Sequence, residues 1–165
     1  MLGYAPDAFA AFFTAMIAAA AALTGLLFVA VSINFERLLK GSKYLLARAA
    51  EAMAILLLVV VSSALALIPQ NVRLMGVEIV IVVVPMIALI VRNQLSQLRK
   101  NRDDPLLWSV SRMTCTAAAT VPCTVAGLSL ALHAGGGFYW LVPTALLGIA
   151  GAVYNAWVLL IEIAR

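Results

Sequence analysis

An all-α bundle of five transmembrane helices is the fold this sequence predicts, and three observations predict it. The chain of 165 residues is 65% hydrophobic and only 11% charged, whereas a soluble domain is nearer half apolar and a quarter charged. Its apolar residues gather into five runs, each long enough for the ~20 helical residues that a bilayer core requires. Its basic residues fall almost wholly between alternate runs, as they do when loops sort by side of a membrane. A single transmembrane domain follows, with spans at approximately 8–36, 44–68, 74–98, 106–132 and 138–164 and no room for a separate soluble domain.

From Ala8 to Ile33 the chain carries no charge and only Thr14, Thr24 and Ser32 as hydroxyls. It then meets Asn34-Phe35-Glu36-Arg37, a polar cluster where headgroups should begin. No basic leader precedes this run, which is far longer than the apolar core of a signal peptide, so it is expected to stay as a span. The second run, Tyr44 to Ile68, is closed by Pro69-Gln70-Asn71, which cannot easily continue a helix. The third is apolar from Leu74 to Val91, and its helical pattern runs on through polar residues to Leu98. Asp103-Asp104-Pro105 then supplies a helix start, a carboxylate cap followed by proline at the first helical position.

The fourth run, Leu106 to His133, is the least apolar. Thr116, Thr120 and Thr124 share one helical face, which is expected to look at protein rather than lipid. Arg112 lies close enough to the run's end to snorkel to the interface. Cys115 and Cys123, eight residues apart on one helix, stand ~12 Å from each other, too far for a disulfide. Ala134-Gly135-Gly136-Gly137 makes a turn, and Phe138 to Ala164 crosses last.

Orientation follows from the 11 basic residues. Arg37, Lys40, Lys43 and Arg48 surround the first loop, Arg92, Arg99, Lys100, Arg102 and Arg112 the third, and Arg165 ends the sequence, all on one side of a five-span chain. Only Arg73 lies on the other. The positive-inside rule therefore predicts the N-terminus outside and the C-terminus inside. Tyr139 and Trp140 would mark the outer interface and Trp157 the inner one, ~25 Å along the helix from Trp140, with Trp108 and Tyr44 in the same inner belt. The net charge of +4 belongs to this topology and to anionic lipid. No soluble module exists to carry a nucleic-acid interface, so nucleic acid is not an expected partner.

Two sets of residues could carry function. Ala11, Ala18, Gly25 and Ser32 repeat by sevens on the first span, and Gly148 lies on a comparable small face of the fifth. Small faces let helices approach closely in lipid, where no hydrophobic force drives association, and the same faces could line a narrow pore. The second set is polar and clusters toward the inner end: Asn34, Glu36 and Arg37, then Arg48 and Glu51, then Asn155 and Glu162. Arg48 and Glu51 can pair along their own helix, and Asn155, the deepest, suits an interhelical hydrogen bond. Ionisable groups within a membrane are expensive, so the cluster reads either as an ion-pair network or as an ion site.

Enzymatic chemistry finds no constellation. His133 is the sole histidine, so neither a histidine-based metal site nor a Ser-His-Asp arrangement forms within one chain. Gly135-Gly136-Gly137 lacks the strand–turn–helix setting of a phosphate loop, and no paired acids lie deep in a span. Neither a cofactor nor a metal is expected, and the chain reads as non-enzymatic.

Three segments carry a family resemblance: FFTAMIAAAAALTGLLFVAVSINFERLL, RAAEAMAILLLVVVSSALALIP and GGGFYWLVPTALLGIAGAVYNAWVLLIEIAR. Together they resemble a widespread family of short bacterial polytopic integral membrane proteins, over most of the chain and least across Arg92 to Val121. Some relatives are labelled modulator of the FtsH membrane protease. The better understood modulators have more spans and intramembrane aspartates, which this chain lacks. The resemblance implies a multi-pass protein of the bacterial inner membrane. The small face of the first span, and not the resemblance, leads to the expected function, a homo-oligomer in the bilayer that conducts an ion along an axis lined by that span. The alternative is an accessory or regulatory subunit of a larger membrane complex such as a membrane protease.

Overall fold

The computed structural model describes residues 2–40, 43–100 and 106–164, and within them every regular element is helical. Two short 3-10 turns, Leu2–Tyr4 and Pro6–Phe9, lead into α1 (Ala10–Ile33). The chain breaks at Asn34, where the polar cluster begins, and resumes as the short α2 (Phe35–Lys40). Then come α3 (Lys43–Leu67), α4 (Val72–Lys100) and α5 (Leu106–Leu132). A 3-10 turn, Gly137–Trp140, opens α6 (Leu141–Ala164). The capping signal at Asp103-Asp104-Pro105 lies outside the described residues.

Five of these helices are long and apolar enough to cross a membrane, over Pro6–Ile33, Leu45–Leu67, Val72–Ser96, Val110–Leu132 and Gly137–Ile161. Pro85 and Pro122 sit inside continuous helices, as membrane bundles tolerate. Both cysteines are free.

Helices α3, α4, α5 and α6 close a four-helix bundle in which each packs on its two neighbours, while α1 lies outside it against α3 and touches α6 only at an edge. Burial follows that order. Of the most apolar stretch of each span, 50% is buried for α3 but only 11% for α1. The interior has two layers. Ile55, Leu56, Ala119, Ala145, Ala152 and Leu159 fill the half nearer α2. Leu58, Met75, Ile79, Cys123, Leu130 and Phe138 fill the other.

Helices α4 and α5 make the closest approach, and two glycines allow it. A Cβ built on Gly76 would lie 2.6 Å from the Gly127 carbonyl oxygen and would also meet the Ala131 nitrogen. No side chain fits between these backbones.

At the end away from α2, the N-terminal turns rest on the α5–α6 connection. Tyr4 packs at a tilt against His133 with ring centroids 4.3 Å apart, and the Gly136 N–H donates to the Tyr4 hydroxyl at 3.2 Å. The connection turns through left-handed backbone at His133, Gly135, Gly136 and Gly137. Ser129 Oγ steadies it by accepting the Gly137 N–H at 2.8 Å. Phe9 and Phe13 pack beside Phe138 and so tie α1 to the start of α6.

Candidate functional site

The polar residues of the α2 half gather inside the four-helix bundle. Glu51 stands six residues into the span that begins at Leu45, ~9 Å along the helix, yet it is 3% exposed. Arg112 of α5, also 3% exposed, forms a two-pronged ion pair with it. Arg112 Nε donates to Glu51 Oε2 at 3.0 Å, and Nη2 donates to Oε1. Such fork-to-carboxylate pairs are the strongest of the charge-assisted hydrogen bonds. Gln94 of α4 completes the cluster. Its Nε2 donates to Thr116 Oγ1 at 2.9 Å and reaches Glu51 Oε2 at 3.5 Å. Three helices are thus joined through one carboxylate.

Arg48, one turn before Glu51, turns elsewhere. It is 1% exposed, donates from Nε to Asn155 Oδ1 of α6 at 3.1 Å, and lies 6.0 Å from the centre of the Tyr154 ring. Because a guanidinium offers only donors, the oxygen of Asn155 must face it. Asn155 Nδ2 then points the other way, buried without a hydrogen-bond partner among the described residues. A buried donor left unsatisfied costs about 1–3 kcal/mol.

This arrangement corrects two readings of the sequence. Arg112 does not snorkel: it turns into the bundle, because Glu51 on the facing helix offers a carboxylate at the same depth. Arg48 and Glu51 serve different neighbours, Asn155 on α6 and Arg112 on α5, instead of pairing along α3. Asn34 bonds its own helix, with Nδ2 donating to Ala30 O at 2.9 Å. Glu36 is exposed. The side chains of Arg37 and Glu162 lie outside the described residues. Gln94, Thr116 and Arg112 are the members that sequence reasoning missed. Their signal was the i, i+4 spacing of Arg112 and Thr116, which puts a charge and a hydroxyl on one face.

The small-residue positions divide. Gly148 sits in the core, where an added Cβ would fall 2.7 Å from Val59 Cγ2. Ala11, Ala18, Gly25 and Ser32 are all exposed, and a Cβ on Gly25 would meet nothing within 4 Å. Within one chain this face of α1 has no partner among the described residues. No group of three or more metal-ligating side chains occurs among them either. Comparison with protein-family models, curated proteins and solved structures found no match.

Proposed function

We propose that this protein is a non-enzymatic membrane assembly module whose small-residue face on α1 docks a second transmembrane helix, first of all the α1 of another copy. One observation carries the reading: the face that runs through Ala11, Ala18, Gly25 and Ser32 is exposed along its whole length, while the bundle's polar groups are turned inward. A lipid-facing helix gains nothing from such residues, whereas a docked helix gains close backbone contact. Cysteines placed at Ala18 or Gly25 should form disulfide-linked dimers in native membranes. A cysteine at Leu57, equally exposed but on α3, should not. Equal cross-linking at all three positions would remove the proposal.

Substitution separates docking from folding. Gly25→Leu should leave the melting of the single chain unchanged and split the assembly in size-exclusion chromatography. Gly148→Leu should cost about 1–3 kcal/mol by overpacking against Val59. The reverse order of effects would mean that α1 faces lipid.

A conducting axis is the second reading, and a specific feature favours it. Ser32 is exposed at the end of this face, and Glu36 is exposed on α2 just past the break at Asn34, so copies gathered around α1 would present a ring of carboxylates, as cation-selective mouths do. Flux in liposomes that Glu36→Gln abolishes, with the oligomer intact, would establish it. A silent chain recovered with another membrane protein would instead make it an accessory subunit. The inner membrane of a bacterium, with the C-terminus inside, is the proposed setting. A reporter fused after Arg165 should be active only in the cytoplasm, and periplasmic activity would reverse the topology.

A further inference from the structure

A groove of about 210 Å³ runs between α1 and α6 in the half of the bundle nearer α2. The two helices barely meet there, since each rests on α3, and Leu56 of α3 forms the floor. Ala30 and Ala156 leave the space open, while the exposed Leu26, Leu160 and Trp157 stand up as its walls. Trp157 is 64% exposed. The groove extends over residues 23–30 of α1 and 152–160 of α6, ~10–12 Å along the bilayer normal. It lies on a different flank of α1 from Ala11, Ala18 and Gly25, so nothing here depends on the docking reading.

Two arguments identify what fills it. The first is shape. A helix docks in lipid by close backbone approach across small residues, and the leucine and tryptophan walls hold a second backbone away. A single flexible hydrocarbon chain can enter between them. The second is charge. The groove's α2 end leads directly into α2 and the start of α3, whose sequence carries Arg37, Lys40 and Lys43, against Glu36 there and Glu162 at the end of α6. Basic residues at the end of a span attract anionic headgroups.

We propose that this groove binds one acyl chain of an anionic glycerophospholipid from the leaflet on the α2 side, with its phosphate toward those basic residues. The full chain, stripped of lipid in mild detergent, would be incubated with phosphatidylglycerol or phosphatidylcholine of matched chains and weighed by native mass spectrometry. One phosphatidylglycerol per chain should be retained, in about tenfold preference over phosphatidylcholine. Ala156→Phe fills the groove and should abolish retention. Ala30→Leu does so from the opposite wall, and melting curves show which variant stays folded. The double substitution Arg37→Gln, Lys40→Gln should remove the headgroup preference and leave the phosphatidylcholine level unchanged. Retention that survives both filling variants, or that ignores headgroup charge in the unaltered chain, overturns the proposal. So does a disulfide dimer formed by Leu160→Cys, which would place a second copy in the groove.

Discussion

Replacing Glu51 with leucine is expected to destabilise the folded chain by about 3–5 kcal/mol, the usual cost of removing one partner of a buried ion pair. The motive is geometric. Arg112 would remain 3% exposed in the bundle interior, without the carboxylate that both its Nε and Nη2 now meet. Gln94 would lose its longer contact at the same time. Thermal unfolding in detergent, followed by circular dichroism, gives the measurement. The companion variant Glu51→Leu, Arg112→Met removes both charges and should recover most of the loss, because an apolar replacement of a whole buried pair is often neutral or better. If the single variant melts like the unaltered chain, water reaches this pair and the site is not a sealed one. If the double variant is as damaged as the single, what matters is the geometry of the pair and not its charge balance.

Gly76→Leu should be at least as severe, and for a different reason. Overpacking a core costs about 1–3 kcal/mol when side chains can shift. Here the atoms in the way are backbone: the Gly127 carbonyl oxygen, the Ala131 nitrogen and the Leu130 carbonyl carbon. Relief requires α4 and α5 to separate around Gly76 and Gly127. The variant should therefore cost about 3 kcal/mol or more and express as aggregated or proteolysed protein. Gly127→Ala adds one methyl group against Val80 Cγ2 at 2.8 Å and should be milder. An undisturbed melting temperature for Gly76→Leu would mean that the two helices do not meet here.

The spans were legible because they depend on composition alone. Pro69-Gln70-Asn71 and the glycine run after His133 marked their ends, and each helix begins or stops within a few residues of its expected limit. Partner choice was not legible. Arg48 and Glu51 lie three residues apart on α3, ~60° around the helix, and that angle is enough to aim them at different neighbours. Only the order of helices around the bundle decides which neighbours those are, and no local pattern encodes it. The glycines make the same point. Gly25 and Gly148 have similar apolar settings in the sequence, yet one is open and the other meets Val59. Gly76, where α4 and α5 meet backbone to backbone, belongs to no repeat and lies between Arg73 and Glu78.

The buried ion pair also has a history in time. Glu51 finds Gln94 43 residues later in the chain and Arg112 61 residues later, while Arg48 waits 107 residues for Asn155. A ribosome adding about 5–20 residues each second leaves Arg48 without that amide for roughly 5–20 seconds after it is made. At the start of this interval α3 carries Arg48 and Glu51 and none of these three partners. Its polar contacts can close only as α4, α5 and α6 are made in turn. The polar contacts of α3 are therefore complete only after the last span has been made.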